Sequence, residues 1–116
     1  MTRLKIRVQL AGEHTLGPGK VQLLEAVAEH GSISAAARSM QMAYRHAWEM
    51  LDDLNRCFRD PVIETETGGP AGGGARVTAF GAELVSRYHA MQAKADAALA
   101  ADLAALTRAC APKPRA

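Results

Sequence analysis

The sequence predicts a mainly α fold with a small antiparallel β wing, a winged helix-turn-helix extended by a long C-terminal dimerisation helix. Three observations lead there. Residues 31–55 read as two helices joined by a tight turn, the supersecondary unit that presents one helix to a groove. A glycine-rich stretch, residues 68–75, lies between two short strand-like runs. From Ala79 to Ala109 an alanine-rich segment keeps apolar residues at three- and four-residue spacing, the period of a helix with one apolar stripe.

The elements follow in order. Arg3, Leu4, Lys5, Ile6, Arg7, Val8, Gln9 and Leu10 alternate polar with apolar, which predicts a strand over 3–10 with one buried face. Ala11 to His14 form the turn out of it. Pro18 suits the first turn of a helix, because its missing amide proton has no partner there anyway. Val21, Leu24, Val27 and Ala28 then recur at helical spacing, and Gly31 is placed to cap that helix at its C-terminus. Ser32 and Ser34 both qualify as the N-cap of the next helix, with Ser34 favoured. That helix is short, 35–40, and its small residues allow close approach. Gln41 and Met42 make the turn, Met42 tucked beneath the pair. The second helix of the motif spans 44–56, with Ala47, Leu51 and Leu54 as its inner stripe, and Asp60-Pro61 halts it.

Residues 62–67 read as a strand, 68–75 as a loop and 76–78 as a short return strand. Thr78 caps the long helix over 79–109. At ~1.5 Å per residue that helix would run on the order of 45 Å, more than so small a core covers. Leu84, Tyr88, Met91, Leu99, Leu103 and Leu106, with Ala95 between them, therefore predict a stripe closed by a second subunit. Residues 1–109 make one domain and 110–116 a basic, frayed tail.

Composition agrees with a single domain that dimerises. The chain has 116 residues, 48% hydrophobic but only 4% aromatic, a thin core of the kind that gains stability by burying more surface between subunits. Net charge is +2, so nucleic-acid binding must come from locally arranged charge. Two distant cysteines, Cys57 and Cys110, suit a reduced cytoplasm better than a disulfide framework. No apolar run approaches the roughly 20 residues that span a bilayer, and a cytoplasmic protein with no membrane partner is expected.

The front of the helix over 44–56 carries the candidate DNA-binding residues. With Ala47, Leu51 and Leu54 inward, Tyr44, Arg45 and His46 stand at the end that reaches base edges in such motifs. Arg45 suits a two-pronged contact with guanine; Tyr44 and His46 suit a phosphate or a thymine methyl. Ser34 and Arg38 join this set, and Arg38, Arg56 and Arg59 are candidates for backbone phosphates. Trp48 reads as packing in preference to readout. Glu49, Asp52 and Asp53 repel phosphate, which places DNA toward the N-terminal end of the helix. For the glycine-rich loop, a nucleotide-phosphate loop is rejected, since Gly-Lys-Ser/Thr and an immediate helix are both missing. A plain hairpin loop and a DNA-touching wing with Arg76 at its base both remain; Glu64 and Glu66 weigh against the wing unless they point away.

Catalysis and metal binding find no support in spacing. His14, His30, His46 and His89 are scattered, and Cys57 has no Cys or His at zinc-finger distance. No enzyme, metal site or cofactor is expected. A weaker idea, sensing of a metal or oxyanion through Cys57 or the histidines at a dimer interface, rests on no motif.

Gly31-Ser32-Ile33-Ser34-Ala35-Ala36-Ala37, Tyr44-Arg45-His46-Ala47-Trp48, Asn55, Glu66-Thr67-Gly68-Gly69, Gly72-Gly73-Gly74-Ala75 and Thr78 with Gly81 together resemble the N-terminal DNA-binding domain of ModE-type, molybdate-responsive regulators. The resemblance covers roughly residues 15–100; its first half equally resembles LysR-type regulators. It implies a winged-helix homodimer on double-stranded DNA with a palindromic operator near molybdenum-related genes, read by Tyr44, Arg45 and His46 with Arg76 at the wing. Two departures stand out. Ala43 occupies the position where the family usually has a capping serine. Full-length members also carry C-terminal molybdate-holding domains, so the resemblance is to a stand-alone form of the DNA-binding half, with a separate molybdate-binding protein as a candidate partner. The alternative, from a different class, is a protein–protein adaptor that pairs through the long helix with a separate ligand-binding partner.

Overall fold

The computed structural model describes residues 2–66 and 73–112. In chain order its elements are β1 (Val8–Gln9), β2 (Thr15–Leu16), α1 (Pro18–His30), α2 (Ile33–Ser39) and α3 (Tyr44–Cys57). These are followed by β3 (Ile63–Glu66), β4 (Gly74–Val77), α4 (Ala79–Ala98) and α5 (Ala100–Ala109). Mainly helical, with two small antiparallel sheets, it is the fold class the patterning predicts.

The predicted strand over 3–10 is shorter than its alternation. Burial does alternate through residues 2–10, yet only Val8 and Gln9 pair, opposite Leu16 and Thr15. The preceding backbone is held by side chains of α4 instead. Gln92 Oε1 accepts from the Ile6 amide at 3.1 Å, Gln92 Nε2 donates to the Leu4 carbonyl at 2.8 Å, and the Tyr88 hydroxyl donates to the Ile6 carbonyl at 2.7 Å. Periodicity reports which side faces the core; it does not say what satisfies the backbone.

Helix α1 is the hub, touching α2, α3, α4 and β4. It begins at Pro18 and ends on Gly31, whose φ of 77° is the left-handed C-cap geometry that glycine adopts without a Cβ penalty. Val21, Leu23, Leu24 and Val27 from α1 meet Ile33, Ala36 and Ala37 of α2, Ala47, Leu51 and Leu54 of α3, Val62 and Ile63, and Leu84 and Tyr88 of α4. Ala28, expected on the inner stripe, is exposed, because Leu23 and Ala26 take the inward positions. Alanines on α2 and α3 let these two helices close on one another.

The wing is registered by hydrogen bonds from outside its own ladder. β3 and β4 pair antiparallel, Ile63 with Val77 through Glu66 with Gly74, and the Ala75 amide donates to the Gly31 carbonyl at 2.9 Å. Asn55 ties the end of α3 to β3: Oδ1 accepts from the Val62 and Ile63 amides at 2.8 and 3.3 Å, and Nδ2 donates to the Ile63 carbonyl at 3.2 Å. Asn55→Ala is expected to destabilise by about 2–3 kcal/mol, since it strands backbone groups beside the fully buried Val62. Asn55→Asp, which keeps the acceptor, should lose less; urea unfolding of the two variants checks the order. Residues 67–72, including most of the glycine-rich loop, lie outside the described residues, as does the tail over 113–116.

The single helix expected over 79–109 is two. Thr78 caps α4, accepting from the Gly81 amide at 2.9 Å as predicted. Leu99, at φ −106° and ψ 12°, departs from helical geometry and separates α4 from α5. The predicted stripe also divides. Leu84 and Tyr88, expected at a dimer contact, are buried in the chain's own core; α1 and the N-terminal segment already cover that end of α4. Met91 and Leu99 (each 40% exposed) and Leu106 (58%) stay open, Leu103 is partly covered, and α5 buries no residue.

Candidate nucleic-acid interface

α2, the turn and α3 build the front of the site. Ser32, not the favoured Ser34, is the N-cap of α2: its side chain accepts from the Ala35 amide at 3.0 Å. The helix thus begins two residues earlier than expected, and Ser34 falls exposed in its first turn. At the turn Gln41 takes φ 54°, a left-handed conformation costing a non-glycine residue roughly 1–2 kcal/mol. The Gln41 and Met42 amides are nonetheless satisfied, by the Arg38 carbonyl at 3.1 Å and the Ala37 carbonyl at 2.9 Å.

Helix α3 starts without a side-chain cap at Ala43, as the departure from the family serine anticipates. Ala43 already has the extended backbone of an N-cap, φ −64° and ψ 139°. Ala43→Ser is therefore expected to raise stability by about 1 kcal/mol, read as a higher urea midpoint at unchanged slope.

Beyond that cap, Ala47, Leu51 and Leu54 turn inward and the first turn turns outward. Tyr44 is 55% exposed, the Arg45 side chain 91%, and His46 is exposed as well. Between this turn and the wing runs an open groove of about 460 Å³, lined by Ser34, Tyr44, Trp48, Thr65 and Glu66 together with Gly73–Ala75. Trp48, expected to pack, instead lines this groove at 45% exposure. One helical turn after Tyr44, it shares that residue's face, a spacing that was open to reading in the sequence. Arg38 is exposed near the end of α2 but does not line the groove, and Arg76 is exposed on β4.

The acids of α3 are less repulsive than their sequence suggests, because each has a cation beside it. Glu49 lies 3.3 Å from Arg45 and Asp52 3.0 Å from Arg56, both one turn apart. Asp53 faces away from the groove, toward Lys20 and His14. On the wing Glu64 is paired with Arg76 directly across the ladder, so the charge of Arg76 is shared. Glu66 lines the groove. Such exposed pairs are worth little in stability and leave the arginines free to exchange partners.

Comparison with known proteins bears on what this surface is for. Residues 19–82, from the start of α1 into α4, match the model of the bacterial regulatory helix-turn-helix proteins of the lysR family. The chain belongs to that family. As a helix-turn-helix protein of the lysR family it is similar to the molybdenum-pterin-binding protein MopA of Rhodobacter capsulatus, 40% identical over 72% of this chain and 31% of that protein. It is likewise similar to the transcriptional regulator ModE of Haemophilus influenzae, at 30% over 78% and 36%. The DNA-binding transcriptional dual regulator ModE of Escherichia coli is 35% identical over 61% of this chain and 27% of its own. The chain thus spans about a third of the length of these curated relatives. Their names agree with the resemblance carried by the wing and Ala-Trp motifs.

Among the described residues, no helix is long and apolar enough to cross a membrane.

Proposed function

We propose that this chain is a sequence-specific DNA-binding transcriptional regulator of molybdenum-related genes, acting as a homodimer on a palindromic operator. The observation that carries the reading is the outward first turn of α3, with the Arg45 side chain 91% exposed beside the groove under the wing. Arg45 is the base-reading residue. Tyr44, His46 and Ser34 line or flank the entrance, while Arg38 and Arg76 meet phosphates. The role is binding, with no catalytic step. Two copies are joined through the apolar remainder of the C-terminal rod, Met91, Leu99, Leu103 and Leu106, which sets two recognition helices about one DNA turn apart.

Selection of genomic fragments by the purified protein, followed by footprinting, tests this directly. A two-fold symmetric footprint, and affinity that falls steeply with salt, are the expected results. Sedimentation should give a dimer that Leu106→Asp weakens. Retention of no specific fragment would favour the second reading, a protein–protein adaptor, which draws its support from the same uncovered α5 and from the ion pairs that share the arginine charge. In that reading the rod engages a separate molybdate-binding partner.

A further inference from the structure

On the opposite side of α3 from the groove, the fold assembles a set of groups that sequence spacing kept apart. His14 comes from the turn between β1 and β2, while Asp53 and Cys57 stand one helical turn apart on α3. Their candidate ligand atoms all lie within 4.8 Å of one another. We propose that His14, Asp53 and Cys57 form a binding site for one divalent cation of the zinc class.

The donor chemistry selects the ion. Imidazole nitrogen, carboxylate oxygen and thiolate sulfur together suit borderline-soft zinc, whereas magnesium and calcium take oxygen ligands. Three protein ligands leave the fourth tetrahedral position for water or another small ligand.

The supporting contacts are also in place. Lys20 Nζ donates to Asp53 Oδ2 at 2.6 Å and to the Thr15 carbonyl at 2.8 Å. That orients the carboxylate and leaves Oδ1 toward His14, 2.6 Å from Nδ1, as outer partners commonly orient metal ligands. Tetrahedral bonds of about 2.0–2.3 Å put neighbouring ligand atoms roughly 3.3–3.6 Å apart. The His14–Asp53 contact therefore has to open slightly while the thiol closes in. Both side chains are about one-third exposed, so that adjustment meets no packed wall.

Lys20 foremost, and then His14, hold the Asp53 carboxyl below its usual range against an opposing effect of burial. Burial, and then the Asp53 charge, push the Cys57 thiol up. The free protein thus holds carboxylate and thiol. Binding of a dication through Cys57 displaces the thiol proton, beside the Lys20 ammonium that already pairs with Asp53. The hydrogen bonds among His14, Asp53 and Lys20 account for those three groups without an ion. They give no role to Cys57, and the site does.

The test is titration of the reduced, full chain with cobalt(II), the spectroscopic stand-in for zinc. Expected are one equivalent bound, a thiolate-to-cobalt charge-transfer band, tetrahedral d–d bands, and displacement of all of these by zinc. Cys57→Ser should abolish the charge-transfer band. His14→Ala, in a partly exposed turn with no core role, should weaken binding at least tenfold while the far-ultraviolet circular dichroism stays native. Cys110→Ser should change nothing. Absence of a charge-transfer band in the wild type, its survival in Cys57→Ser, or its dependence on Cys110 would each overturn the proposal.

Discussion

Arg45→Ala is expected to lower the preference for specific over random DNA by roughly 5- to 150-fold, the worth of about 1–3 kcal/mol in one good two-pronged base contact. The same variant should unfold within about 0.5 kcal/mol of the wild type, because the side chain is 91% exposed and its polar contact among the described residues is an exposed ion pair with Glu49 at 3.3 Å. Competition gel shifts with fragments selected by the wild type, at two salt concentrations, supply the measurement. The salt series separates two roles. If Arg45 reads a base, affinity for the selected site falls and random binding barely changes. If it grips a phosphate, affinity falls alike on all sequences and the salt slope drops by about one. A uniform loss would move base reading elsewhere on α3, and no loss at all would remove the first turn of α3 from the interface.

Gly81→Ala should be strongly destabilising, at about 3 kcal/mol or more. A Cβ at Gly81 would run into the Val62 carbonyl oxygen and lie 2.8 Å from Val77 Cγ1. That carbonyl accepts from the Thr78 amide at 3.0 Å, while Thr78 Oγ1 accepts from the Gly81 amide at 2.9 Å and donates to the Pro61 carbonyl at 2.7 Å. Relief of the clash therefore means separating α4 from the base of the wing. Overpacking against backbone costs about 1–3 kcal/mol, and each hydrogen bond lost adds about 1 kcal/mol. Alanine's better helix propensity returns only about 1 kcal/mol. Gly19→Ala is the matching control. A Cβ there would meet only Met50 Cε at 3.7 Å, so a neutral or slightly stabilising result is expected. Urea unfolding should show a large loss for Gly81→Ala and none for Gly19→Ala; equal losses would refute this account of Gly81.

The elements that were legible are those whose signal is local. Pro18 and Gly31 bound α1, Ala47, Leu51 and Leu54 face inward from α3, and Thr78 caps α4. Each rests on backbone chemistry or on a period within one segment. The misreadings share a cause too. The choice of Ser34 over Ser32 turned on where α2 starts, which Ile33 settles by burying its side chain against the core. The unbroken helix over 79–109 extrapolated a rhythm through Leu99, and alanine-rich sequence holds no propensity signal against that. Trp48 reads from sequence as a lone packing aromatic, and what it faces depends on the wing, which is folded from residues further along the chain.

By itself, then, the order of apolar and polar residues determined the helix-turn-helix, its inner stripe and the outward position of Tyr44, Arg45 and His46. Those features depend on neighbours three or four residues away, and a period records them. Only the tertiary structure decided that Leu84 and Tyr88 are spent on the chain's own core, that Lys20 sits beside Asp53, and that His14 meets Asp53 and Cys57. Such meetings join residues 33, 39 or 82 positions apart across packed elements. No local spacing encodes them, because the packing of α1 against its neighbours brings them together.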